Sequence, residues 1–330
     1  MRIVQVDPTR PDPRAIADAA LVLRRGELVA FPTETVYGLG ANALDPAAVD
    51  RIYAAKGRPA YNPIIVHVAD AAGARAVAAE WPERAQRLAA AFWPGPLTIV
   101  LPKRPIVPDG VTAGLPSVGV RVPAHPVALA LITAASMPIA APSANRSTEL
   151  SPTSADHVAK SLGNAVDLIL DAGPTRVGIE STVVDLTRDP PVLLRPGMIS
   201  ITDLERVVGP VVGAGRVAGE AARPAPVMLD RHYSPRATLV LAGAADVAHV
   251  MDRERARGRR VGALVLASPL RGEHMIEMPA DAPGYAARLY ESLHALDDAG
   301  CAVIVVERVA GGREWDGIRD RLDRAARPPG

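Results

Sequence analysis

Along residues 1–208 two hydrophobic patterns alternate. Compact runs of valine, isoleucine and leucine read as strands, and apolar residues three and four apart read as helices. "PRAIADAALVLRRG" sets Ile16, Ala20 and Leu23 on one helical face and stops at Gly26. "DPAAVDRIYAAKG" offers Asp45 as N-cap, Pro46 at the first helical position and Gly57 past the end. Residues 81–92 and a segment opening at Ser154 also read as helices. Residues 27–31 and 64–68 read as strands, as do "LTIVL", "VGVRV", "PIAAPS", "AVDLILDAG" and "STVVDL". This alternation predicts a mixed α/β domain.

At Gly209 the pattern breaks. "GPVVGAGRVAGEAARPAPVMLDRHYSP" is rich in glycine, alanine and proline and has no convincing period, so 209–236 reads as a linker. From 237 onward "ATLVLAG", "VGALVLAS" and "CAVIVVERV" are continuous apolar strands, separated by helical stretches at 245–257 and 285–299. They predict a small Rossmann-like βαβαβ domain with a mostly parallel sheet over 237–330. It carries neither GxGxxG nor a Walker motif, so nothing assigns it a nucleotide. "RERARGRR" reads as a solvated helix end rather than an RNA patch.

Composition adds bounds to this picture. The 330 residues suffice for two domains, and at 48% apolar they can form a sizeable core. No run approaches the ~18 apolar residues of a membrane span. The opening "MRIVQVDPTRPDP" breaks into charges and prolines before a signal-peptide core forms, so a cytoplasmic protein is expected. A net charge of +1 argues against a general polyanion-binding surface. Lysine occurs only at Lys56, Lys103 and Lys160, which makes a lysine within a motif more informative. The single cysteine, Cys301, reads as a small core residue.

The polar residues with chemical potential sit at strand ends. "FPTETVYGLG" places Thr33, Glu34, Thr35 and Tyr37 in a glycine-bounded turn suited to close ligand approach. In "KGRPAYNP", Lys56 and Arg58 project near one another, with Asn62 following. They could form a phosphate site, or Lys56 could simply complement a helix C-terminus beside a solvated Arg58. Arg121 lies on the strand face opposite Val120 and Val122, either snorkelling to solvent or binding an anion. Ser143 and Asn145 follow a strand end among small residues. Glu180, Ser181 and Thr182 open a strand, and Arg195 precedes a Pro-Gly turn. His67 interrupts a valine strand, where a hydrogen-bonded structural histidine is the commoner outcome. Metal-ligand spacing and a GxSxG elbow are both missing, so no dedicated metal site is expected. Cations, hydroxyls and amides without a covalent nucleophile suit phosphoryl or nucleotidyl transfer.

Taken in order, "FPTETVYGLG", "KGRPAYNPIIVHV", "WPGPLTIVL", "VGVRVPAHP", "APSAN" with "SPT", "GIESTVVD" and "LLRPG" resemble the YrdC family. The linker ending in "RHYSP" and the small domain after it resemble its two-domain members, the L-threonylcarbamoyladenylate synthases. The resemblance implies a YrdC-like twisted mixed sheet, with helices around a concave basic site, as a catalytic domain over 1–208. It implies a nucleotidyltransferase that makes threonylcarbamoyl-AMP from L-threonine, bicarbonate and ATP with release of pyrophosphate. Other proteins, the tRNA threonylcarbamoyl-transfer machinery, would pass the group to the adenosine beside the anticodon of tRNAs reading codons that begin with A. Weak RNA contact is compatible with that role.

By the same resemblance Thr35, His67, Arg121, Ala141 and Ser181 would hold threonine, with Arg121 suited to its carboxylate. Lys56, Arg58, Asn62, Ser117, Ser143, Ser151 and Arg195 would hold ATP, with Tyr233 of the linker closing over the site. Lys56 and Arg58 would be catalytic, offsetting charge on the departing pyrophosphate. Magnesium would be bound mainly through ATP oxygens. The chain departs from the family at "RSTELSPT", at "APVMLDRHYSP" and at Tyr61. Those departures bear on the loop before Ser151, the approach to Tyr233 and the rim of the site. Two rival readings are a non-catalytic module binding double-stranded RNA or tRNA and a carbamoyl-transfer domain of hydrogenase maturation. Near-neutral charge disfavours the first, and a single cysteine disfavours the second, whose members carry zinc-finger-like cysteines.

Overall fold

A computed structural model of the chain describes residues 1–213, 233–266, 272–309 and 311–326. The N-terminal sheet contains β1 (Arg2–Gln5), β2 (Val29–Pro32), β3 (Tyr37–Asn42), β4 (Val66–His67), β5 (Leu97–Pro102) and β6 (Ser117–Arg121). It continues through β7 (Ile139–Ala140), β8 (Leu168–Asp171), β9 (Thr182–Asp185), β10 (Val192–Arg195) and β11 (Val212–Gly213). Their order is β1-β8-β2-β3-β7-β4-β6-β5-β9-β10-β11, with parallel and antiparallel pairs mixed as expected.

The helices of this part are α1 (Pro13–Arg24), α2 (Pro46–Lys56), α3 (Ala71–Val77), α4 (Glu83–Phe92), α5 (Asp109–Thr112), α6 (Pro126–Ala135), α7 (Ala155–Leu162) and α8 (Ile201–Val208). In α2 the Asp45 side chain accepts from Ala47 N, Pro46 starts the helix, and Gly57 ends it at φ 57°. That left-handed φ suits glycine and turns the chain sharply after Lys56. The strand expected over 64–68 contracts to β4, and that over 138–143 to β7. Both runs end beside the site, where the chain leaves the ladder to present side chains. Val212–Gly213, at the start of the expected linker, pair with β10 and prolong the first sheet. Of the expected linker, residues 214–232 lie outside the described residues.

The second sheet is wholly parallel, in the order β12-β15-β13-β14. Its strands are β12 (Thr238–Ala242), β13 (Val261–Val265), β14 (Met275–Glu277) and β15 (Val303–Glu307), with helices α9 (Val247–Ala256), α10 (Ala282–Asp298) and α11 (Asp316–Ala325). The arginines at the end of α9 and in the turn after it are not merely solvated: Arg253, Arg257 and Arg259 converge on buried Glu254. Cys301 is buried in this part's core, as expected.

One apolar cluster crosses between the two parts. Val36, Leu150 and Ile179 pack with Tyr233, Tyr285, Tyr290, Leu293 and Trp315. At Gly178 (φ 79°) an added Cβ would stand 2.1 Å from the Ala286 carbonyl oxygen of α10. Only glycine permits backbone and helix to approach so closely. The C-terminal part is therefore seated on the N-terminal domain through packed core.

Candidate active site

The ends of β3, β4, β6 and β7, with the segment before β9, surround one cavity. Thr35, Arg58, His67, Arg121, Ala141, Ser143, Ser181, Arg195 and Tyr233 all line it, so nine of the expected site residues meet in one place. Lys56, Asn62 and Ser151 are buried beside it and do not reach its wall. Ser117 lines a small neighbouring pocket, which shares Ile65 with the main cavity.

On one side, register fixes the chemistry. His67 of β4 stands opposite Arg121 of β6 in a parallel pair. Arg121 donates from Nη2 to Glu34 Oε1 at 2.6 Å and from Nε to the Gly95 carbonyl at 3.2 Å. Glu34 also accepts from Ala124 N at 3.0 Å. Arg121 is therefore neither snorkelling nor waiting alone for an anion: a buried carboxylate already orients it. Glu34 escaped assignment although it sits inside the quoted turn, since sequence spacing does not reveal a partner 87 residues away. Thr33 organises the turn, with its Oγ1 2.8 Å from Thr35 Oγ1 and donating to the Val36 carbonyl at 2.6 Å. Burial, then the charge of Arg121, pushes the His67 pKa down to about 3, which keeps the ring neutral. Its Nδ1 meets no hydrogen-bond partner among the described residues.

On the other side Arg58 and Arg195 face the cavity, with the buried carboxylate of Glu180 in the same wall. Arg58 donates to the carbonyls of Asn62 at 3.0 Å and Pro63 at 2.7 Å. Arg195 donates from Nε to the Ser181 carbonyl at 2.9 Å and from Nη2 to Ser181 Oγ at 3.0 Å. Ser181 Oγ lies 2.8 Å from Thr98 Oγ1, so one hydroxyl links Arg195 to the wall of the neighbouring pocket. Among the described residues neither Arg58 nor Arg195 forms an ion pair with a carboxylate. Burial foremost lowers the pKa of both, that of Arg58 to about 10, and Arg195 adds its repulsion at Arg58.

Of the two alternatives for Lys56 and Arg58, the solvated helix end does not hold, since they are only 3% and 7% exposed. Lys56 Nζ donates to the carbonyls of Ser143 and Asn145, tying α2 to the loop after β7. Burial and then Arg58 depress its pKa well below the usual lysine value. Tyr233, read as part of an unpacked linker, is 1% exposed and forms both cavity wall and shared core. Asn62 buries Nδ2 and Oδ1 without a partner among the described residues. The departing loop before Ser151 delivers Ser151 Oγ to Glu180 Oε1, and Tyr61 is exposed at 51%.

Among the described residues no three His, Cys, Asp or Glu side chains cluster closely enough to hold a metal ion. None of the described helices is long and apolar enough to cross a membrane.

Residues 21–197 match the domain family described as "Telomere recombination", which groups Sua5, YciO and YrdC proteins. Residues 199–327 match the "Threonylcarbamoyl-AMP synthase, C-terminal domain" family. Threonylcarbamoyl-AMP synthase of Pyrococcus abyssi is 44% identical over 316 residues, covering 93% of each chain. That of Bacillus subtilis is 43% identical over 324 residues, covering 96% of this chain and 93% of its own. A crystal structure of P. abyssi Sua5 complexed with L-threonine superposes with a TM-score of 0.94 at 42% identity, covering 99% of this chain and 98% of that one.

Proposed function

The chain belongs to the two-domain threonylcarbamoyl-AMP synthase family and is an enzyme, and we propose the residues and steps by which it works. It acts as a nucleotidyltransferase, joining L-threonine, bicarbonate and ATP into threonylcarbamoyl-AMP and releasing pyrophosphate. One observation carries this reading: a single cavity has an oriented arginine with hydroxyls on one side and, on the other, two buried arginines that form no ion pair with a carboxylate among the described residues. Buried charges without partners are costly, and a polyphosphate supplies the missing anion.

Threonine is held with its carboxylate at Arg121, which Glu34 and the Gly95 carbonyl keep in place. Thr35, Ala141 and neutral His67 enclose the rest of it. Threonine's neutral amine adds to carbon dioxide with loss of a proton, or condenses with bicarbonate with loss of water, to give a carbamate. A carbamate oxygen then attacks the α-phosphorus of ATP, and the bond to the bridging oxygen of pyrophosphate breaks. No enzyme nucleophile takes part. Arg58 and Arg195 hold the phosphates and offset charge that grows on the leaving group, worth roughly a hundredfold or more in rate. Ser143 lies at the wall, while Lys56 and Ser151 support it from behind. Asn62 offers its unpaired amide near Arg58, and Ser117 stands in the adjoining pocket. Tyr233 covers the nucleotide. The donor set suits a divalent ion only when bound through ATP oxygens, where magnesium would offset phosphate charge.

The product serves N6-threonylcarbamoyladenosine formation in tRNA, and the setting is the cytoplasm. Pyrophosphate release measured with threonine, bicarbonate and ATP, each omitted in turn, tests this reading. Release should require all three. Release that persists without threonine would sink it.

A further inference from the structure

Arg321, in α11 of the C-terminal part, is 1% exposed and lies against the catalytic cavity of the other domain. It donates from Nε to Glu180 Oε2 at 2.9 Å, from Nη2 to the Glu180 carbonyl at 3.2 Å, and from Nη1 to the Pro196 carbonyl at 2.5 Å. Those carbonyls belong to the residue just before Ser181 and the residue just after Arg195, so one guanidinium grips both segments that meet at the phosphate side. Its plane also stands over the Tyr233 ring, 5.3 Å from the centroid. Asp320 Oδ2, at 3.1 Å, gives Arg321 a second carboxylate.

Glu180 is a wall residue of the cavity and a buried carboxylate close to Arg195. Besides Arg321 it is held by Ser151 Oγ and, at 3.3–3.4 Å, by Tyr290 OH of α10. Burial raises its pKa, but Arg321 first and Arg195 second outweigh that, so it is held below the usual value and stays ionised. Two arginines thus compete for one anion. Only Arg321 forms the ion pair among the described residues.

We propose that Arg321 is a positioning residue of the active site, which sequesters the Glu180 carboxylate and so leaves Arg195 available to the phosphates of ATP. This rests on the proposed reaction. It also gives the C-terminal part a defined role, which is to complete the charge balance of a cavity built by the N-terminal domain. If Arg321 is lost, Glu180 turns to Arg195, and substrate must then displace an internal carboxylate. Threonine, held at Arg121 on the opposite side, is unaffected.

The test is calorimetric binding of ATP and, separately, of threonine to full-length variants, so it does not depend on synthase turnover. Wild-type protein that binds threonine but not ATP would count against the proposed reaction rather than against Arg321. Arg321→Met should weaken ATP binding by about tenfold or more with threonine affinity unchanged. Adding Glu180→Gln to Arg321→Met removes the competing anion and should recover at least about threefold of that loss, an outcome that a merely structural arginine does not give. Unchanged ATP affinity in Arg321→Met, or a double variant no better than the single, overturns the proposal. If Arg321→Met fails to fold, the charge-neutral double variant decides alone. Binding of ATP within about threefold of wild type supports the proposal, and a loss of about tenfold or more overturns it.

Discussion

Lys56→Ala and Arg58→Ala should cost stability as well as ATP use, because neither side chain is the solvated helix-end cation that its motif suggests. Removing Lys56 strips a donor from two carbonyls, and each buried group left unpaired costs about 1–3 kcal/mol. Urea unfolding should show that loss, while pyrophosphate release falls on the order of a hundredfold in either variant. Unchanged release would remove Arg58 from the phosphate side and Lys56 from the support of its wall. For Arg121 the informative change is to lysine, since truncation would strand buried Glu34. Arg121→Lys keeps the charge and loses the fork, so threonine binding should weaken by about tenfold while ATP binding holds. Normal threonine affinity by calorimetry would contradict the carboxylate role. Much of the cavity's lining was legible in the sequence, because Thr35, His67, Arg121, Ser143 and Ser181 stand in motifs at strand ends. It did not reveal what holds them: Glu34, Thr98 and Arg321 join through distances of 87, 83 and 141 positions, which no local spacing encodes.

The helix pair α7 and α10 joins the two parts of the chain through His157 and His294, whose rings stack at 3.7 Å. His157 Nδ1 lies 3.3 Å from Thr153 N, and His294 Nε2 is 3.2 Å from the Ser151 carbonyl. Burial chiefly pushes both pKa values to about 4 from 6.5, with mutual repulsion adding at His157. Between those values the unfolded chain binds more protons than the folded one. Stability is therefore fully present above about pH 6.5 and is lost as pH falls toward 4. Lys160 and Arg236 nearby oppose protonation, while Asp156 and Asp298 favour it. Urea midpoints between pH 7 and 5 should fall, and His157→Phe should flatten the slope. A wild-type midpoint independent of pH would refute this. Among the elements, α1, α2 and the apolar strands were legible from period and caps. Helix α6 was not, because "PVALALITAA" is apolar on every side and hides its 3.6-residue period. In α11 charges mask the stripe of Ile318, Leu322 and Ala325, and Arg321 lies on that same buried face.

Across the whole molecule, domain order was readable but the dependence of one domain on the other was not, since packed contacts leave no trace in a composition shift. Ending the chain after Gly213 removes Tyr233, Tyr290 and Arg321 together and uncovers Val36, Leu150 and Ile179. Such a truncated domain should still bind threonine, because Arg121, Glu34 and His67 remain. Its threonylcarbamoyl-AMP synthesis should fall to a small fraction of the full chain's, and full activity in the truncated form would show the C-terminal part to be a passive appendage. The account as a whole turns on the product. Purified full-length protein incubated with ATP, L-threonine and carbon-13 bicarbonate should yield threonylcarbamoyl-AMP carrying the label in its carbamoyl carbon, read by mass spectrometry. ATP consumed to ADP, or to AMP with no labelled adduct, would contradict it.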